Sequence, residues 1–217
     1  MNQAERQQRL IETLGDPSVY PHPVDEVETI ETHISTVLLA GDYAYKIKKP
    51  LDLGFVDFTK LADRRFYCEE ELRLNSRLAP SLYLEVVAFT GTPESPEFDG
   101  DGEAFEYAVR MRRFDQDQLL DRVIVADGLP DSIMDDIADD VAAFHVCIPV
   151  ADADTEYGSP QTVFATMDEN FEALAPRVQD PDRTAQLKRL RDWTRQRFDE
   201  LRPFLETRRQ HGCIREC

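Results

Sequence analysis

The sequence predicts an α+β fold, in which an antiparallel β lobe built around one long helix is followed by a wholly helical part. Three observations carry this prediction. Residues 24–48 alternate and are rich in β-branched and aromatic side chains, in VETIETHIS, STVLLAG and YAYKIKK. Residues 59–78 then run without Gly or Pro at helical spacing, and two more alternating runs follow. Beyond Phe114 the long segments all have a helical period.

Taken in order, Leu10, Ile11 and Leu14 follow a polar first turn and are stopped by Gly15, Asp16 and Pro17, which predicts a short helix. SVYPHPV reads as an extended linker. The three alternating runs are strands, and Gly41-Asp42 between the last two suits a two-residue hairpin turn, in which one or both central residues have positive φ. After a loop over residues 50–58, TKLADRRFYCEEELRLNSRL is a long amphipathic helix with Thr59 as its N-cap and Leu61, Phe66, Tyr67, Leu74 and Leu78 as its apolar positions. LYLEVVAFT and AFEYAVRMRRF are the next strands, joined by TGTPESPEFDGDG as an exposed turn. Four helices are expected after that: DQDQLLDRV, DSIMDDIADDVAAFHV, QTVFATMDENFEAL and DRTAQLKRLRDWTRQRFDELRPFLETRR, with Pro203 kinking or dividing the last. The closing HGCIREC predicts a short strand over residues 213–216. This divides the chain into an N-terminal helix and linker (1–23), the β lobe (24–114) and the helical part (115–217).

The 217 residues carry 43 Asp and Glu against 25 Lys and Arg, a formal charge of -18. Such a surface repels a phosphate backbone, so nucleic acid is not an expected partner. The polar first 14 residues lack the apolar core of a signal peptide, and no stretch has the roughly 18 apolar residues of a membrane span, so no membrane association and a cytoplasmic location are expected. Cys68, Cys147, Cys213 and Cys217 form no C-x-x-C pair, which reads as free thiols without a zinc site.

Chemistry concentrates in YAYKIKK. Alternation puts Ala44, Lys46 and Lys48 on one strand face and Tyr43, Tyr45 and Ile47 on the other. One reading of these lysines is an edge strand protected from pairing. The other comes from the following helix, where Glu71 lies at i+4 from Tyr67 and at i-3 and i-7 from Leu74 and Leu78. A Glu on a helix packed over a sheet Lys forms the ion pair that aims an amine at nucleotide phosphates. The order of hairpin, A-x-K strand, Glu-bearing helix, two strands and then helices is that of a protein-kinase-like small lobe and hinge.

The stretch ETHISTVLLAGDYAYKIKKPLDLGFVDFTKLADRRFYCEEELRLNSRLAPSLYLEVV resembles the amino-terminal domain of a bacterial family of aminoglycoside-phosphotransferase-like proteins, often joined to a carboxy-terminal P-loop kinase domain. The resemblance is dense from Glu31 to Val87 and looser through RMRRFDQDQLLDRV and the helix ending VAAFH. It implies ATP as the bound nucleotide, with Lys46 contacting its phosphates, Glu71 as the partner of Lys46 and Glu70 as the fallback. It implies that Ala44 lines the adenine pocket, that the turn from Thr32 to Ser35 lies over the phosphates, and that Met111, Arg112 and Arg113 begin a hinge, ending at Phe114, whose backbone meets adenine. The turn has no glycine, a departure from the glycine-rich loop of protein kinases, and Met111 taken by itself reads as core packing. His145 stands where related phosphotransferases carry Leu-His, and reads equally as a helix-end histidine beside the C-terminal dipole. Trp193 reads as helix packing.

In the family, a His-Gly-Asp motif supplying the catalytic Asp follows a strand like GCIREC, and an Asn and a second Asp hold magnesium. The sequence stops at Cys217. The expectation is therefore an incomplete helical lobe cut just before its catalytic loop, with no catalytic or metal-binding residue in this chain, magnesium only in the complete protein, and little phosphotransferase activity. The acceptor would be an unidentified small molecule, and a P-loop kinase domain would be a fused or separate partner. The alternative is a non-catalytic nucleotide-binding or interaction module.

Overall fold

A computed structural model describes residues 2–152 and 154–216, which fall into two compact units, 1–129 and 130–217. In the first unit α1 (Gln3–Leu14) is followed by β1 (Val27–Glu31), β2 (Ser35–Ala40), β3 (Tyr43–Lys48), α2 (Leu61–Asn75), β4 (Tyr83–Thr92), β5 (Ser95–Phe98), β6 (Glu106–Arg112) and α3 (Leu120–Asp127). The strands form one antiparallel sheet in the order β1-β2-β3-β6-β4-β5. The chain is thus mixed α and β, with its sheet confined to the first unit.

β3 lies inside this sheet, between β2 and β6, which excludes the protected-edge reading of its lysines. Its register with β2 leaves Gly41 and Asp42 as a two-residue loop, and of the two only Gly41 has a positive φ, +56°. The expected exposed turn over residues 90–102 contains a strand instead. β5 pairs with β4 there, because Phe98 has a core to enter: its ring lies 5.0 Å from Phe89 and 5.6 Å from Tyr45.

One sheet face packs on α1. Leu10, Leu14, Leu38, Tyr45, Ile47, Val87, Phe89 and Ala108 are fully buried or nearly so, each large side chain contributing about 1.5–3 kcal/mol. The N-terminal helix, set apart by the sequence reading, is therefore part of the core of the first unit. It starts from an Asn2/Glu5 capping box.

The other sheet face meets α2, and here the apolar expectation holds only in part. Leu61, Tyr67 and Leu74 are half-buried, but Phe66 and Leu78 are 55% and 61% exposed, and the most buried residues of the helix are Arg64 and Cys68, with Glu71 turned in beside them. Arg64 and Glu106 form a fully buried ion pair, Nε to Oε1 2.9 Å. Gln7 of α1 donates to the other oxygen of Glu106 at 2.7 Å and to the Lys48 carbonyl at 2.8 Å. Counter-charges supplied by β3 and β6 let a polar helix face be buried, which apolar periodicity cannot register. Thr59 is not the N-cap either: Lys60 occupies that place without a side-chain bond, because the amide and hydroxyl of Thr59 are both given to Asp57.

The second unit holds α4 (Asp131–Cys147), α5 (Pro160–Leu174) and α6 (Pro181–Gln210). Helices α5 and α6 pack through Phe164 and Phe198, ring centroids 4.7 Å apart, and through a two-pronged bond from Arg191 to Asp168 at 2.7 Å. Pro203 does not divide α6, since an interior proline removes one amide bond and the rest of the ladder persists. Trp193 is 61% exposed, so the expected packing is absent. The expected strand over residues 213–216 is a single bridge between Arg215 and Val150, since no longer partner lies beside it among the described residues; Cys217 falls outside them. Among the described residues no helix is long and apolar enough to cross a membrane.

Candidate functional site

The chemistry-bearing cluster lies where β3 faces α2. Strand alternation projects Lys46 and Lys48 from the same face, two residues apart, and Glu71 lies seven residues along the helix from the anchored Arg64. Glu71 accepts from both amines: Lys46 Nζ to Oε1 is 2.7 Å and Lys48 Nζ to Oε2 is 2.6 Å. The three differ in access. The side chain of Lys46 is 26% exposed, that of Glu71 12% and that of Lys48 6%. Lys48 is enclosed further by the Phe58 ring, 5.4 Å from its ammonium.

Burial pushes the Glu71 carboxyl up, but the hydrogen bonds and charges of Lys46 and Lys48 outweigh it and hold the group below the ordinary carboxylate range. Burial raises the Tyr83 phenol, and Glu71 adds to this while Lys46 opposes it. Burial pushes the neighbouring Cys68 thiol up to about 12, so this cysteine is an inert packing residue.

The sequence paired Lys46 with Glu71, and the structure brings these two side chains together. Glu70 points elsewhere and bonds Arg73 at 2.8 Å on the helix surface. Ala44 lies two residues before Lys46 and pairs with Met111, which also pairs with Tyr83. Met111 and Arg112 end β6. The amide of Arg112 donates to the Leu82 carbonyl and that of Arg113 to the Asp42 carbonyl, both at 2.8 Å, so these two hinge donors are already engaged by the protein.

The turn from Thr32 to Ser35 joins β1 to β2. It closes on itself, with the Thr32 amide and hydroxyl both donating to the Ser35 carbonyl and the Ser35 amide donating back to Thr32 Oγ1, each at 2.9 Å. Lys49 ties the turn down, donating to the Thr32 carbonyl at 2.7 Å and pairing with Glu31 at 2.5 Å. Ser35 itself is fully buried and lies across from Lys48, and its hydroxyl has no hydrogen-bond partner among the described residues.

Sequence reasoning missed Lys48 as a second partner of Glu71, and it missed Tyr83. For Lys48 the signal existed, since it shares the Lys46 face; for Tyr83 nothing in its local pattern distinguishes it from a strand aromatic. In the second unit His145 lies exposed in the last turn of α4, its carbonyl accepting from Arg215 at 3.2 Å. Among the described residues no group of three or more His, Cys, Asp or Glu side chains comes together as a metal-ligand set.

No protein-family model matches the chain, and no solved structure matches it. Uncharacterized proteins of Mycobacterium tuberculosis and Mycobacterium bovis are each 38% identical to it over 135 residues, covering 60% of this chain and 25% of theirs. The chain spans about a quarter of the length of these curated relatives.

Proposed function

We propose that the first unit is the ATP-binding lobe of an aminoglycoside phosphotransferase-like, protein-kinase-like protein. The observation that carries the reading is the Lys46–Glu71 ion pair, formed between an inner strand and the helix packed over it. Only this pair among the predicted residues joins distant parts of the sequence through charged atoms at hydrogen-bond distance, and it leaves the Lys46 ammonium partly open to solvent. In that geometry Glu71 orients Lys46, and Lys46 donates to a phosphate oxygen of the nucleotide. On this reading Ala44, which pairs with Met111 and precedes Lys46 by two residues, lines the base side of the site.

Magnesium would screen the phosphate charges when bound, but the described residues provide no ligand set for it, so the reading is limited to binding and orienting the nucleotide. Transfer of a phosphoryl group to a small-molecule acceptor is proposed only for longer proteins carrying a catalytic Asp.

Calorimetric titration with ATP tests the reading. Binding by the wild-type chain that weakens roughly 10- to 100-fold in Lys46→Met, the loss of one charge-assisted hydrogen bond, is the expected result. No measurable ATP binding by the folded wild-type chain, or equal affinity in Lys46→Met, would overturn it.

A further inference from the structure

The cluster contains one more cation than an isolated lysine–glutamate pair needs. Two ammonium groups share one carboxylate, giving the trio a formal charge of +1, and the pair of lysines is unequal: Lys48 is 6% exposed and Lys46 26%. Lys48 has little access to water, its ammonium lying 5.4 Å from the Phe58 ring, and its carbonyl is fixed from behind by Gln7. Lys46 alone can turn outward.

In an arrangement with a single lysine, an amine that leaves its glutamate for a ligand strands a buried carboxylate, and an unpaired buried charge is expensive. Here Glu71 keeps a second hydrogen bond of 2.6 Å from Lys48 when Lys46 departs. We infer that Lys48 is a built-in counter-cation: it holds Glu71 neutralised so that Lys46 can transfer its hydrogen bond to a polyanionic ligand, and it supplies the net positive charge that attracts that ligand. The inference rests on the anion-binding reading of Lys46 and assigns Lys48 a positioning and specificity role without contact to the ligand. Its chemistry favours a polyphosphate over an uncharged nucleoside, because the attraction scales with ligand charge.

The experiment uses the full chain and three probes: ATP, inorganic tripolyphosphate and adenosine. Lys48→Met keeps the aliphatic stem and removes the charge. It is expected to weaken ATP and tripolyphosphate about tenfold, the effect of one unit charge several ångströms away in a partly screened site, and to leave adenosine unchanged. Unchanged affinity for both anions in the folded variant overturns the inference while leaving the nucleotide reading intact. Absence of ATP and tripolyphosphate binding in the wild type overturns both.

A measurement on the wild type keeps the test independent of whether the variant folds. The Nζ resonances of Lys46 and Lys48 are followed by nitrogen-15 NMR as tripolyphosphate is added. Movement of the Lys46 signal with Lys48 stationary supports the inference, and a Lys48 signal that moves as much as that of Lys46 refutes it.

Discussion

Replacing Glu71 by Gln keeps the shape of the side chain and removes the charge that two lysines share. The amide oxygen can satisfy one ammonium, but the amide nitrogen is a donor and is set against the other. Breaking one partner out of a buried ion pair costs about 3–5 kcal/mol. Lys46, at 26% exposure, recovers water more readily than Lys48, at 6%, so the loss falls at the lower end, about 3 kcal/mol. Against a typical stability of roughly 5–15 kcal/mol this is a large fraction.

The pH dependence has a definite sign. The Glu71 carboxyl is depressed in the folded state, so its contribution is fully present above the ordinary carboxylate value of 4.5 and is lost as pH falls through the lower folded value. The stability gap between wild type and Glu71→Gln is therefore widest near neutral pH, begins to close as the pH falls below 4.5 and closes through the lower folded value. Native-state hydrogen exchange of the β3 and β6 amides reads this unit directly. A neutral-pH loss under about 1 kcal/mol, or a gap that stays constant on acidification, would refute the reasoning.

Two further perturbations probe what holds the site in place. Glu106→Gln leaves Arg64 charged and fully buried, and should destabilise the first unit by about 3–5 kcal/mol, while Arg64→Met combined with Glu106→Leu should recover much of that loss; a double-mutant cycle in urea with no coupling contradicts the buried pair. Gly41→Ala places a Cβ 2.4 Å from the Pro23 carbonyl oxygen at a φ of +56°, so a loss of about 1–3 kcal/mol is expected in thermal unfolding, and an unchanged Tm would show that the β2–β3 turn tolerates a side chain.

Local chemistry made much of the first unit legible from sequence. The alternation of residues 27–48, the Gly41-Asp42 turn and the uninterrupted run of α2 each follow from interactions within a few residues. The pairing of Lys46 with Glu71 was also legible, because strand and helix periods say which faces they occupy. What could not be read locally was what those faces would meet. The inward side of α2 carries Arg64, Cys68 and Glu71, and burying these charges is tolerated because Glu106 and two lysines arrive opposite them from β6 and β3. The strand β5 formed in a segment with turn composition because Phe98 found Phe89 and Tyr45. The joining of Lys48 to the same carboxylate, and its burial, were likewise decided by tertiary packing. The sequence by itself determined which groups were present and which way local geometry turned them; only the folded chain decided their partners and their access to water, because both depend on residues far apart along the sequence.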